Sequence, residues 1–370
     1  MRHIPYVDLK RQHLPIRDEI LAAVGRVISH GNFILGEEVE QFEAAMAAYC
    51  ETKYAVGVNS GTDALFLCLK AYGVGPGDEV ITTSFSFVST GTAILQVGAR
   101  PVFVDTDPET LNLDVAQVGA AVTSRTAVIL PVHLFGLAAD MNGLRPIARR
   151  HDLALVEDGA QAFGATFEER RIGALGDVAC VSFYPTKPLG GAGDGGMVLT
   201  DRADVAERVR KLRHHGSGEK YHHVEIGWNS RLDELQAAFL RVKLPHVDHW
   251  AEARRHIAAR YRALLGDLPV GLPRDYPPAR HVYHQFTIRS RERDALTKYL
   301  QSRGIGTALH YPLPLPAQPI FRARGYAAEP FPCAWAAAQT VLSLPCFPEL
   351  REDEVERVAE AIHDFYREGT

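Results

Sequence analysis

Ser182-Phe183-Tyr184-Pro185-Thr186-Lys187-Pro188-Leu189-Gly190-Gly191-Ala192-Gly193-Asp194-Gly195-Gly196 places a single lysine in a glycine-rich segment. It directly follows a short apolar run, Val178-Ala179-Cys180-Val181. Upstream, a second apolar run ends in polar residues: Leu153-Ala154-Leu155-Val156-Glu157-Asp158-Gly159-Ala160-Gln161. A lysine amine can form a Schiff base with an aldehyde cofactor. An aspartate can pair with a pyridinium nitrogen and keep it protonated, which makes the ring an electron sink. Together the two segments point to pyridoxal phosphate (PLP) chemistry.

Working outward, strand-like runs at 54–58, 79–83, 101–104, 127–132, 154–157, 177–183 and 196–199 alternate with helical spacing at 62–72, 89–96 and 114–121. Short apolar runs separated by helices are the pattern of a mostly parallel α/β sheet. In such sheets functional residues collect at the carboxyl ends of the strands. Helical spacing at 16–29 and 37–50 precedes this region. A strongly periodic helix at 231–243 is broken by Pro245. Then come a helix at 246–265, a strand at 284–289, a helix at 293–303, a Pro-rich loop at 311–319 and a last helix at 351–367. The expected division is a large domain over 1–245 and a small C-terminal domain over 246–370.

The 370 residues suffice for one large domain and a smaller one. A net charge of −5 gives no electrostatic case for nucleic-acid binding. The opening MRHIPYVDLKRQHLP lacks the apolar core of a signal peptide. No apolar run reaches the length of a membrane span, so no membrane partner is expected. The five cysteines are widely spaced and without metal or redox spacing, which reads as reduced thiols in a cytoplasmic protein. His214-His215, His222-His223, His246 and His249 read as surface or loop residues, and no metal is expected.

Several residues become candidates beside Lys187. Ser60-Gly61-Thr62 follows a strand and opens a helix, where free N–H groups and hydroxyls can meet an anion. Taken alone, Ser60 or Thr62 reads as a helix cap. An aromatic face at Phe85 or Phe87 could stack on a planar ring, with core packing the alternative. Asp158 could bind a ring nitrogen and Gln161 could donate to a ring phenolate oxygen. Ser182 could reach a cofactor phosphate. Arg213 or Lys220, flanking and within the 214–223 loop, could contact a phosphorylated substrate.

In order, these segments resemble the DegT/DnrJ/EryC1/StrS family of PLP-dependent sugar aminotransferases over nearly the whole chain. The resemblance rests on Gly36-Glu37-Glu38-Val39-Glu40-Gln41-Phe42-Glu43, Asn59-Ser60-Gly61-Thr62-Asp63-Ala64-Leu65 and Glu157-Asp158-Gly159-Ala160-Gln161-Ala162. It rests further on the lysine segment, on Gly227-Trp228-Asn229-Ser230-Arg231-Leu232-Asp233-Glu234-Leu235-Gln236-Ala237-Ala238 and on Leu342-Ser343-Leu344-Pro345. It implies an α/β, aspartate aminotransferase-like fold of type I, with a large mostly parallel sheet domain and a smaller C-terminal α+β domain. It implies a homodimer with shared active sites. Lys187 would bond to the cofactor, Asp158 would pair with its ring nitrogen, Gln161 would bind the ring oxygen and Phe87 would stack on the ring. Ser60, Gly61, Thr62 and Ser182 would hold the phosphate, and Asn229 would reach it from the partner subunit. L-glutamate or glutamine would donate the amino group to a keto group of a nucleotide-linked sugar, with a 3-keto-6-deoxy sugar among the candidates. His310 and Tyr311 join Lys220 as candidate substrate contacts.

The chain departs from the family's usual pattern at Gly159, Phe163, Pro188, Pro316 and Trp335. The changes at 316 and 335 bear on the substrate more than on the chemistry. Two other readings stay open from the sequence: a cyclitol aminotransferase acting on a keto-inositol, and a regulatory protein that binds PLP or a sugar without turnover. Relatives that deoxygenate sugars carry histidine in place of the lysine, and Lys187 argues against that reaction.

Overall fold

Apolar runs long enough to bury both faces produce a seven-stranded sheet. In the computed structural model, which describes residues 3–219, 221–327 and 330–368, its strands lie in the spatial order Tyr54–Val58, Gly196–Thr200, Val178–Ser182, Ala154–Asp158, Thr126–Leu130, Glu79–Thr83, Arg100–Val104. Six run in one direction. Gly196–Thr200 runs against both of its neighbours. Successive residues alternate between two cores, as strand geometry requires. Val128, Leu130, Val156 and Val198 enter one core with the buried helix Gly61–Ala71. Ile129 and Leu155 enter the other, against the helix Met141–His151. Both faces are covered, which explains why the central strands read as continuous apolar runs.

A second core is built from the antiparallel pair Phe286–Arg289 and Val341–Leu344 with the helices Val247–Leu265, Arg293–Ser302 and Glu352–Glu368. Tyr261, Phe286, Leu296, Leu344 and Ile362 are buried in it. Ile4 also packs there and pairs with Ile305, so the first residues of the chain join this second core. A further cluster lies between them: Phe85, after a large-sheet strand, packs with Phe331, Ala334 and Ala337 and with Val341 of the antiparallel pair.

The large α/β architecture matches the sequence reading in kind and in most boundaries. Helix 231–243 begins later, at Glu234, because Asp233 has extended backbone and sits at the N-cap. Pro245 does not end the helical path; it sits in a single tight turn, Leu244–His246, that leads directly into Val247–Leu265. Among the described residues no helix is long and apolar enough to cross a membrane.

Candidate active site

The six co-directional strands end along one edge of the sheet, and the candidate residues meet there. Asp158 is the last residue of Ala154–Asp158 and Ser182 the last of Val178–Ser182. Because antiparallel neighbours need no crossover, Val178–Ser182 connects to Gly196–Thr200 through one loop, and Lys187 stands on it.

A cavity of about 470 Å³ opens at this edge. Ser60, Gly61, Thr62 and Ser182 line one part of it. Phe87, Asp158, Gln161, Lys187, His310 and Tyr311 line the rest. Phe85 is fully buried in the core, whereas Phe87 is 52% exposed and faces the cavity. Three predicted residues do not line it. Arg213 is buried, pairs with Glu43 and donates to the Gly57 carbonyl, so it is committed inside the fold and not to a substrate. Asn229 lies on an exposed segment, bridged to His214. Lys220 falls outside the described residues.

At the polar end, the Ser60 hydroxyl accepts from the Asp63 N–H at 3.1 Å and caps the helix Gly61–Ala71. The cap and anion readings of this segment are therefore compatible: the Gly61 and Thr62 N–H groups precede the first intrahelical bonds and stay available to an anion. Gly61 is required for this closeness, since a Cβ there would lie 2.6 Å from Cβ of Ser182.

At the opposite end, Asp158 is 4% exposed. Its Oδ2 accepts from the Thr90 hydroxyl at 2.8 Å and its Oδ1 from the Ala160 N–H at 3.2 Å. Burial raises its pKa, and those two bonds with the nearby charge of Lys187 oppose the rise. The adjacent residue, Glu157, points to the other side of the strand. There it accepts from His133 Nε2 at 2.9 Å and from the N–H groups of Gly173, Leu175 and Gly176. His133 Nδ1 accepts from the Ala139 N–H, which leaves the ring proton on Nε2. One carboxylate thus anchors a loop while its neighbour faces the cavity.

Lys187 is partly buried, and this lowers its amine to about 8; Asp158 acts in the opposite sense. Gln161 is held by the Phe135 N–H on its Oε1 and donates from Nε2 to the Tyr311 hydroxyl at 3.0 Å. His310 Nδ1 pairs with the Ser343 hydroxyl at 2.9 Å. Burial first, then Lys187, hold His310 down to about 4, so it is neutral. Sequence reasoning missed Thr90 and His284, both in the cavity wall. Nothing in the sequence marks a threonine inside a helix as a partner of Asp158.

The donor set fits PLP. A carboxylate that can pair with a ring nitrogen stands at one end. A helix N-terminus with hydroxyls for a phosphate stands at the other, and an amine of lowered basicity lies in the same cavity.

The model of the DegT/DnrJ/EryC1/StrS aminotransferase family matches residues 15–363. The "Pleiotropic regulatory protein" of Geobacillus stearothermophilus is 49% identical over 99% of both chains. The UDP-N-acetyl-3-dehydro-alpha-D-glucosamine 3-aminotransferase of Acidithiobacillus ferrooxidans is 46% identical over 97% of both. The solved structure of DesV from S. venezuelae, in complex with a ketimine intermediate, superposes with a TM-score of 0.97 at 46% identity and covers 99% of each chain. That of ntda from Bacillus subtilis, with bound cofactor PMP, superposes with a TM-score of 0.92 at 32% identity, over 98% of this chain and 85% of the other. With its sheet edge, its lysine loop and its motifs in the family's order, this chain belongs to the DegT/DnrJ/EryC1/StrS aminotransferase family.

Proposed function

We propose that this protein is a PLP-dependent aminotransferase that places an amino group on the 3-keto carbon of a nucleotide-linked sugar. The observation that carries the reading is the meeting of Lys187 and Asp158 in one cavity with a helix N-terminus at its other end. Relatives support the substrate class: one similar protein is named as a 3-aminotransferase of a UDP-linked sugar, another as a transaminase of a dTDP-linked 3-amino sugar.

When bound, PLP supplies an aldehyde that bonds to amines and a ring that accepts electrons. The chain's residues do the remainder. Asp158, buried and held by Thr90 and Ala160, would pair with the ring nitrogen. Ser60, Gly61, Thr62 and Ser182 would hold the phosphate. Phe87 would lie against the ring and Gln161 would bind its oxygen. Lys187 would hold the cofactor aldehyde, and its Nζ would take the proton from the α-carbon of the amino donor. An amine near neutrality suits a base of this kind.

L-glutamate is the proposed donor. Asn229 is proposed to act across a homodimer interface, and the exposed Val224 and Ile226 on the same segment supply apolar surface for a partner. His310 and Tyr311, beside the ring site, are proposed to contact the sugar, and Lys220 its phosphates. The division into 1–245 and 246–370 belongs to this reading, except that the first residues, with Ile4, pack into the second lobe; residues from both stretches line the cavity. The free cysteines suit the reducing cytoplasm.

The test is the absorbance spectrum of the purified protein before and after L-glutamate. A cofactor band that shifts to the pyridoxamine form, and is restored by a nucleotide-linked keto-sugar, supports the reading. A band that ignores glutamate overturns the donor assignment. Absence of any band after PLP is supplied overturns the role of Lys187.

A further inference from the structure

Lys243 is fully buried, which is unfavourable for an ammonium unless acceptors replace water. Its Nζ donates to the Gly190 carbonyl at 2.6 Å and lies 3.2 Å from His13 Nε2. Burial holds His13 down to about 4, so that nitrogen is free to accept. The rings of Phe239 and Trp250 sit 5.2 and 5.5 Å from the same Nζ. Seven residues earlier on the same helix, Oε1 of Gln236 accepts from the Ala192 N–H at 2.9 Å. Gly190 and Ala192 both belong to the loop that carries Lys187.

The loop is folded tightly on itself. The Lys187 N–H donates to the Tyr184 carbonyl and the Gly191 N–H to the Phe183 carbonyl, each at 2.8 Å. A Cβ on Gly190 would lie 2.1 Å from the Pro185 carbonyl oxygen, so Gly190 packs against the residues just before Lys187. A pull on the Gly190 carbonyl is therefore transmitted to the lysine. The helix itself is fixed: Glu234, at its start, is fully buried and accepts three N–H groups from residues 36–39.

We infer that the helix Glu234–Lys243 tethers the Lys187 loop at two points, and that Lys243 is a positioning residue that sets where Lys187 stands in the cavity. Lys243 does not line the cavity and has no contact with reacting atoms. It acts only through Gly190. The inference rests on the proposed role of Lys187.

The test uses the full chain carrying Lys243→Met, which keeps the length and apolar contacts of the side chain but removes its donors. Capture of PLP by the cofactor-free protein, kcat and KM are compared with wild type. Leaving the buried Gly190 carbonyl without its donor predicts a fall of about tenfold to hundredfold in the capture rate and in kcat, with KM for the amino donor nearly unchanged. Lys243→Arg, which restores a donor, is expected to return part of that loss. Wild-type capture and kcat in Lys243→Met overturn the inference. If that variant does not fold, Gln236→Ala probes the other tether point: a reduced capture rate and kcat at unchanged KM support the tether, and wild-type values overturn it. Failure of the wild-type protein to capture PLP at all is a different result and strikes the role of Lys187 itself.

Discussion

Burial of Lys187 has a kinetic signature that can be worked out before any substrate is known. The neutral amine is the form that attacks an aldehyde. At the ordinary lysine value of 10.5, about one amine in 3,000 is neutral at pH 7; at about 8, about one in ten is. Burial therefore raises the reactive fraction about 300-fold at pH 7. The capture of PLP by cofactor-free protein, followed by stopped-flow absorbance, should rise with pH and level off above about pH 8. Asp158 opposes the burial effect, so Asp158→Asn should move the midpoint to lower pH. The same substitution removes the charge facing the ring nitrogen. Losing one partner of a buried ionic pair costs about 3–5 kcal/mol, or roughly two to four powers of ten in turnover. The two effects run in opposite directions: the midpoint of capture falls while turnover collapses. A midpoint near 10.5 in the wild type would refute the burial argument, and a midpoint that rises in Asp158→Asn would refute the coupling of the two residues.

Other outcomes test other parts of the molecule. Asn229→Ala and Lys187→Ala proteins, each impaired alone, should regain activity when mixed and allowed to exchange subunits, since one site of the mixed dimer then holds both native residues; no recovery would place Asn229 outside a shared site. Glu234 Oε1 accepts from Gly36 and Val39 and its Oε2 from Glu38, so Glu234→Gln should cost about 1–3 kcal/mol. For a chain of this size that lowers Tm by about 1–4 °C, and an unchanged calorimetric Tm would show that Glu37–Cys50 does not depend on this cap. His281, His13 and His310 are held down to about 3, 4 and 4 by burial. The unfolded chain takes up protons at these histidines from the ordinary value of 6.5 downward while the folded chain does not. Stability is thus complete above about pH 6.5 and falls as pH drops toward about 4; a Tm flat across that window would contradict the burial of these rings.

Local sequence carried most of the fold. The bounds of Glu79–Thr83 and of the helix Ser89–Gln96 are legible because their apolar runs end in turn residues. The helix Met141–His151 is hard to read from the sequence because Pro146 sits inside it, and Ala203–Arg213 because its charged residues mask a narrow apolar face. Strand direction is not written in the run of residues: Gly196–Thr200 reads like its neighbours yet runs against them. In the site, Lys187, Asp158 and Ser60–Thr62 were legible because glycine and strand-end patterns flank them. Thr90, His284 and the bond from Gln161 to Tyr311 were not, since each depends on elements distant in sequence.

The antiparallel strand has a consequence for how the chain is made. Among the described residues of the central sheet, Tyr54–Val58 pairs only with Gly196–Thr200. It leaves the ribosome roughly 140 residues ahead of that partner, a wait of about 7–28 s at ordinary rates of synthesis. The helix Gly61–Ala71, buried over most of its length in the finished protein, emerges with it. During that interval an unpaired strand and an apolar helix stand uncovered, as a binding site for a chaperone or a seed for aggregation. The lysine hairpin waits for nothing comparable, because its two strands are made one after the other.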